Sequence, residues 1–238
     1  MQLLSCHQGR IFTTDFAANN GSTKSFTTGL CALDELLPRA NFARGAVHEL
    51  LALPSHPLPL FFALLLARSA MNQPKNSSGS IVWCDPQRKL YPPAVATLGM
   101  PLDRLFLLRP KTIADENWAI AECLRCRGVS ATIASPRRLS RIEARRFQLA
   151  AERGGGIGIL LRPFDRNAHV YAAATRWLVA PARGERTIQR WKIQLIHGHG
   201  GRIGQSVILE HHREHNSIQV HTLRAIEQLA DRSVPKTA

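Results

Sequence analysis

The chain has 238 residues, a formal net charge of +14, 45% hydrophobic residues and 20% charged residues. Such a chain is long enough for one sizeable domain, and its ordinary apolar share excludes both a disordered polymer and a small disulfide scaffold. Its longest apolar run, Leu58 to Ala67, contains Pro59 and falls short of the ~20 residues a membrane-spanning helix needs.

The basic surplus favours phosphate-rich or acidic partners, with nucleic acid first and an acidic protein surface second. Five cysteines (Cys6, Cys31, Cys84, Cys123 and Cys126) are odd in number and form no disulfide framework. They suit a reducing compartment. The opening "MQLLSCHQGRIFTTDF" lacks a basic segment followed by an apolar core, so a cytoplasmic protein without a signal peptide is expected.

In chain order, residues 1–26 are polar and read as a flexible N-terminal arm. "TTGLCALDELLP" places Leu30, Leu33, Leu36 and Leu37 at helical spacing, with Thr28 as N-cap and Pro38 at the end. Gly45 leads into a strand, "AVHELLAL". A loop of Pro54, Ser55, His56, Pro57 and Pro59 follows, then an apolar helix over about Leu60 to Met71. "NQPKNSSGS" is a surface linker, "IVWCD" a buried-type strand, "RKLYPPAVATLGM" holds a short helix, and "LFLLR" is a further strand. Asp115 to Arg127 reads as a helix, "SATIAS" as a strand, Ser140 to Glu152 as a strongly basic helix and "GIGILLRP" as a strand. Strands alternating with helices imply βαβ units and a mainly parallel sheet. "YAAATRWLVAP", "IQRWKIQLI", "QSVILEH" and "SIQVHTL" then read as strands joined by short turns, an antiparallel extension.

Strand, loop, helix is the setting of a phosphate loop. That loop needs glycines, so that backbone N–H groups crowd a phosphate, and a Gly-Lys-Ser/Thr ending. Pro54 to Pro59 offers neither glycine nor lysine.

The densest charge lies in "SPRRLSRIEARRFQLAAER". On a helix, Arg137, Arg141 and Arg145 fall along one face at i, i+4 spacing, with Arg138 and Arg146 beside them. These five are the candidate nucleic-acid or partner-binding residues. A charge run is ordinarily a solvated face, here with Ile142 and Leu149 turned inward. "HGHGGRIG" reads as a glycine-dependent hairpin turn. His211 and His212 are adjacent on a strand and point to opposite faces, so the histidines His197, His199, His211, His212 and His215 suggest no metal. Cys123 and Cys126 lie within a helix, away from the N-terminal position that stabilises a thiolate. The four tryptophans are expected in packing roles.

Several motifs agree in order with known proteins. "TTGLCALDELLP…FARGAVHEL", "IVWCDPQRKLYPPAVATLGMPLDRLFLLRP" and "RWKIQLIHGHGGRIGQSVILEH" resemble the RecA core. More narrowly, "TGLCALDELLP", "GAVHEL", "RRFQLAAERGGGIGILLRP" and "ATRW" resemble the ImuA family, RecA-like accessory proteins of bacterial translesion mutagenesis cassettes. The resemblance implies an α/β fold: a RecA-like core at 27–224, with a central, mainly parallel sheet flanked by helices and antiparallel C-terminal strands, and a C-terminal tail at 225–238. It implies a non-enzymatic role in SOS-induced translesion synthesis, DNA damage tolerance and SOS mutagenesis. ImuB, an error-prone polymerase and RecA itself are the implied partners, with DNA contact weak or indirect and no membrane. The SulA family, cell-division inhibitors that bind FtsZ, shares "PQRKL" and the "LLRP" strand and supplies the alternative.

Against the RecA pattern three positions have changed. The phosphate loop is absent. Gln87 stands where a glutamate activates water, and Ser135 where an aspartate helps hold Mg²⁺. Asp85 alone is a poor substitute. No cofactor and no metal are therefore expected, and the proline-rich loop is expected to collapse over the degenerate site. The second DNA-binding loop of the RecA pattern is cut to about "FDRNAH".

Overall fold

One buried carboxylate closes the first turn of the domain. In a computed structural model, which describes residues 24–72, 79–88, 90–165 and 172–222, Asp34 accepts hydrogen bonds from the Thr28 N–H and hydroxyl and from the Gly29 N–H. Thr28 is therefore not the helix cap. The helix is a single turn, α1 (Cys31–Asp34), whose N-cap is Leu30. A two-stranded ribbon brackets it: β1 (Ser25–Phe26) pairs antiparallel with β2 (Phe42–Ala43), and the Phe26 and Phe42 rings stack at 5.4 Å. Residues 24–26, assigned to the loose arm by composition, thus belong to the folded body. The rest of the arm, the linker at 73–78, most of "FDRNAH" and the tail lie outside the described residues.

The remaining elements alternate as the sequence predicts: β3 (Ala46–Ala52), α2 (Leu60–Met71), β4 (Ser80–Cys84), α3 (Pro92–Thr97), β5 (Leu105–Leu108), α4 (Ile113–Arg125), β6 (Val129–Ala134), α5 (Arg141–Gly154) and β7 (Ile157–Pro163). Then come four strands in a row, β8 (Thr175–Ala182), β9 (Ile188–Gly198), β10 (Ser206–His212) and β11 (Ser217–Thr222). They build a nine-stranded sheet in the order β11-β10-β9-β8-β3-β7-β6-β4-β5. Pairings from β5 to β8 are parallel, and those among β8 to β11 are antiparallel.

Each face of the sheet has its own core. On one side α1 and the almost uniformly apolar α2 pack over Leu50, Ile159, Leu161, Trp177, Ile193 and Leu209. On the other, α4 and α5 cover Val47, Cys84, Ala134 and Leu160. Gly154 sets how closely those two helices approach, because a Cβ there would lie 2.0 Å from the carbonyl oxygen of Leu124. Among the described residues no helix is long and apolar enough to cross a membrane.

Parallel and antiparallel halves meet at β3 and β8, where consecutive residues make opposite polar clamps. His48 and Thr175 are register partners, as are Glu49 and Arg176. On the α2 side, the Trp177 indole N–H donates to Thr175 Oγ1 at 2.8 Å, and Thr175 Oγ1 lies 2.7 Å from His48 Nδ1. Nε2 of His48 is 2.9 Å from the carbonyl of Ala43, which can only accept. The proton therefore sits on Nε2, and the Thr175 hydroxyl donates to a bare Nδ1. On the opposite face the Glu49 carboxylate takes Arg176 Nε at 2.8 Å and an Arg162 terminal nitrogen at 3.2 Å. "GAVHEL", "LLRP" and "ATRW", three separate motifs, converge here.

Breaking a buried ion pair from one side leaves an unmatched charge, worth about 3–5 kcal/mol. Glu49→Gln is expected to lower the unfolding free energy in urea by about 3 kcal/mol. Replacing Glu49, Arg162 and Arg176 together by Leu, Met and Met should cost less than the single change. A Glu49→Gln protein as stable as the wild type removes the clamp from the energetics.

His48 gives a pH dependence of definite sign. Burial lowers its pKa to about 4, against an opposing hydrogen bond to Ala43, from an ordinary 6.5. Below pH 6.5 the unfolded chain binds a proton there that the folded chain refuses until about pH 4. Stability from this group is complete above 6.5 and falls on acidification, by about 3 kcal/mol at pH 4. His48→Gln should flatten that part of a stability-versus-pH curve, measured by denaturant titration between pH 4 and 7.

Candidate functional site

The C-terminal ends of parallel strands are where an α/β sheet offers a crevice to ligands. Here a cavity of about 330 Å³ lies at the ends of β3, β4, β6 and β7. Pro57, Leu58 and Leu60 form one wall, and Trp83 to Gln87 with Leu90 another. Ser135, Arg137 and Leu161 complete the lining. The structure thus gathers the three positions singled out from the sequence, the proline-rich loop, Gln87 and Ser135, around one space. The loop forms one wall of that space.

The loop's backbone explains what the wall can do. Pro54, Pro57 and Pro59 have no N–H to offer. His56 spends its own on the carbonyl of Leu53 at 3.1 Å, and Leu60 on that of Leu58 at 2.8 Å. Ser55 turns the chain with a φ of +65°, a left-handed conformation that a side-chain-bearing residue adopts at some cost. Of the loop from Pro54 to Leu60, these two amides are spent on the loop itself and three positions have none.

The acids near the cavity serve the protein itself. Asp85 is buried, and its Oδ2 accepts the Leu90 N–H at 3.0 Å, stapling the turn that carries Gln87. Glu116 on α4 is fully buried, and its Oε2 takes Arg137 Nε at 2.9 Å. Cys84 lines the same cavity. Burial first, then the negative charges of Glu116 and Asp85, push its thiol up to about 12, with Arg137 opposing, so it stays protonated and is no nucleophile.

The arginine stripe needs a correction. α5 starts at Arg141 behind the Ser140 cap, where the hydroxyl accepts from the Glu143 N–H and the Glu143 carboxylate accepts from the Ser140 N–H. Arg137 and Arg138 are therefore in the preceding loop and do not continue the helical face. Arg137 is committed to Glu116, while Arg138, Arg141, Arg145 and Arg146 are exposed. Ile142 and Leu149, expected inward, are 75% and 39% exposed, and Ala144, Phe147, Ala150 and Ala151 face the sheet instead. The capping box Ser140-Arg-Ile-Glu143 marks the start expected from the sequence, so a helical face cannot reach back to Arg137. The Arg137–Glu116 pair, 21 residues apart, left no local signal.

Other singled-out groups fall into packing roles. His211 lies with its ring 4.8 Å from that of Phe61, and His212 faces Glu210 at 3.4 Å, on opposite sides of β10. Among the described residues no group of three His, Cys, Asp or Glu is arranged to hold a metal ion. Cys123 is buried in α4, and Cys126 is its C-cap. The "HGHGG" turn docks on the first turn of the domain: Arg202 N–H donates to Leu36 C=O at 2.8 Å. A Cβ on Gly201 would sit 2.7 Å from Leu195 and 3.0 Å from the Leu36 oxygen, so glycine there is a packing requirement.

The two neighbouring arginines are expected to behave differently. Arg137→Gln leaves a buried carboxylate without its cation and should destabilise by about 2 kcal/mol, less than a wholly buried pair because the guanidinium is partly solvated. Arg138→Gln should shift stability by less than about 0.5 kcal/mol. Equal thermal unfolding of both variants would refute the assignment.

No family model matches the chain. It is similar to Protein ImuA from two strains of Caulobacter vibrioides, NA1000 / CB15N and ATCC 19089 / CIP 103742 / CB 15. Each is 27% identical over 238 residues, with 92% of this chain and 95% of the relative covered. The similarity extends over nearly the full length of the chain.

Proposed function

We propose that this chain is a non-catalytic accessory protein of SOS-induced translesion DNA synthesis, which keeps a RecA-like scaffold as a docking platform and does not hydrolyse ATP. One observation carries the reading: the three positions that would handle a nucleotide surround a single cavity, and none has the necessary chemistry. A triphosphate needs convergent N–H donors and a cation, and the loop has three prolines and no lysine. Water activation needs a proton acceptor, and the Gln87 amide is a poor one. The Ser135 hydroxyl brings no charge to Mg²⁺, and the Asp85 carboxylate is held by its own turn. The full-length similarity to Protein ImuA supports the assignment of process. ImuB, an error-prone polymerase and RecA are the proposed partners.

Isothermal titration with Mg-ATP is expected to show no low-micromolar binding; a clear isotherm overturns the degenerate-site reading. In pull-downs with purified ImuB, RecA and FtsZ, capture of ImuB or RecA is expected. Capture of FtsZ alone would replace this reading with a SulA-like division inhibitor.

A further inference from the structure

We propose that the outward face of α5 is a docking site for an acidic, amphipathic segment of a protein partner. The proposal rests on the accessory-protein reading only in requiring a protein partner, and it names the surface and the partner's chemistry. Ile142, Arg146, Leu149 and Arg153 follow one another at i, i+4, i+7 and i+11, so they form one ridge. Ile142 and Leu149 are the exposed large apolar residues of this helix, at 75% and 39% exposure. Arginine flanks each of them, with Arg145 beside the ridge.

The charge on this ridge is not balanced from within. Glu143 is engaged by the Ser140 N–H and the Asn117 amide, and Glu152 by the Gln148 amide. Among the described residues Arg141, Arg145, Arg146 and Arg153 make no ion pair. Like charges spaced three and four apart on a helix repel one another. An occupant that brings carboxylates relieves that repulsion, and one that also brings apolar side chains removes Ile142 and Leu149 from water. A nucleic-acid backbone does the first and not the second, because phosphates leave both side chains hydrated. An acidic segment with apolar residues at helical spacing does both. Beside the ridge a shallow cleft runs between the N-terminal ends of α4 and α5. Asn117 lines this cleft, with its amide committed to Glu143.

The test is photo-cross-linking of the full chain in DNA-damaged cells, with p-benzoylphenylalanine at position 142 and, as control, at the exposed position 185. The captured peptide is sequenced, synthesised and titrated against purified protein by fluorescence anisotropy. A net-negative peptide with apolar residues three and four apart is expected. Its affinity should drop about tenfold or more in Ile142→Ser/Leu149→Ser, and likewise in Arg145→Gln/Arg146→Gln. All four side chains are exposed, so both variants should keep the wild-type Tm. Cross-links to nucleic acid, to a non-acidic segment, or no more than at position 185 overturn the proposal, as does a peptide that binds the variants equally well. ImuB or RecA captured in pull-down by both variants as by wild type would leave the accessory reading standing and this surface refuted.

Discussion

Two consecutive residues of β3, on opposite faces of the sheet, hold the two halves of the molecule in register. His48 completes a chain of neutral hydrogen bonds among aromatic rings, and Glu49 neutralises two arginines. Side chains alternate along a strand, so a slip of one residue against β8 would put the carboxylate among Phe42 and Trp177 and the imidazole among the guanidinium groups. Each misplacement strands a buried polar group. Hydrophobic burial alone would not distinguish the registers so sharply, since β3 is buried along its whole length on both faces. The parallel half, which shapes the cavity, and the antiparallel half, which extends the sheet, are therefore joined at a fixed offset.

That fixed framework also positions the crevice. The positions of the loop after β3, of Gln87 and of Ser135 follow from the strands they terminate. Asp85 and Glu116 are both acids close to the cavity, and both are tied into the protein's own turns and ion pairs.

Much of the architecture was legible in the sequence, because apolar periodicity and alternation report burial directly. α2 runs from Leu60 to Met71 as expected, and the succession of strands is as read. α5 resisted for a physical reason. Its sequence offers two apolar sets, Ile142 with Leu149 and Ala144 with Phe147, Ala150 and Ala151. Both sets carry a bulky side chain, so residue type alone does not choose between them; Ala144, Phe147, Ala150 and Ala151 lie beneath the helix, and Gly154 packs against the Leu124 carbonyl of α4. The helix is rotated accordingly. The Arg137–Glu116 pair and the cavity itself join distant segments, and no window of local sequence contains them.

The sheet order also bears on how the chain is made. β3 is central, but its two neighbours are β7 and β8; Ala46 pairs with Ile157, more than a hundred residues later. α2 is almost uniformly apolar and packs against β6 and β7 as well as β4. A chain leaving the ribosome thus presents its most apolar helix and its central strand well before their partners exist. Loop closure over that distance must precede the contacts that reward it, which slows folding. The nascent protein carries an incompletely covered apolar helix until β6 and β7 have been made, the condition in which chaperone capture competes with aggregation.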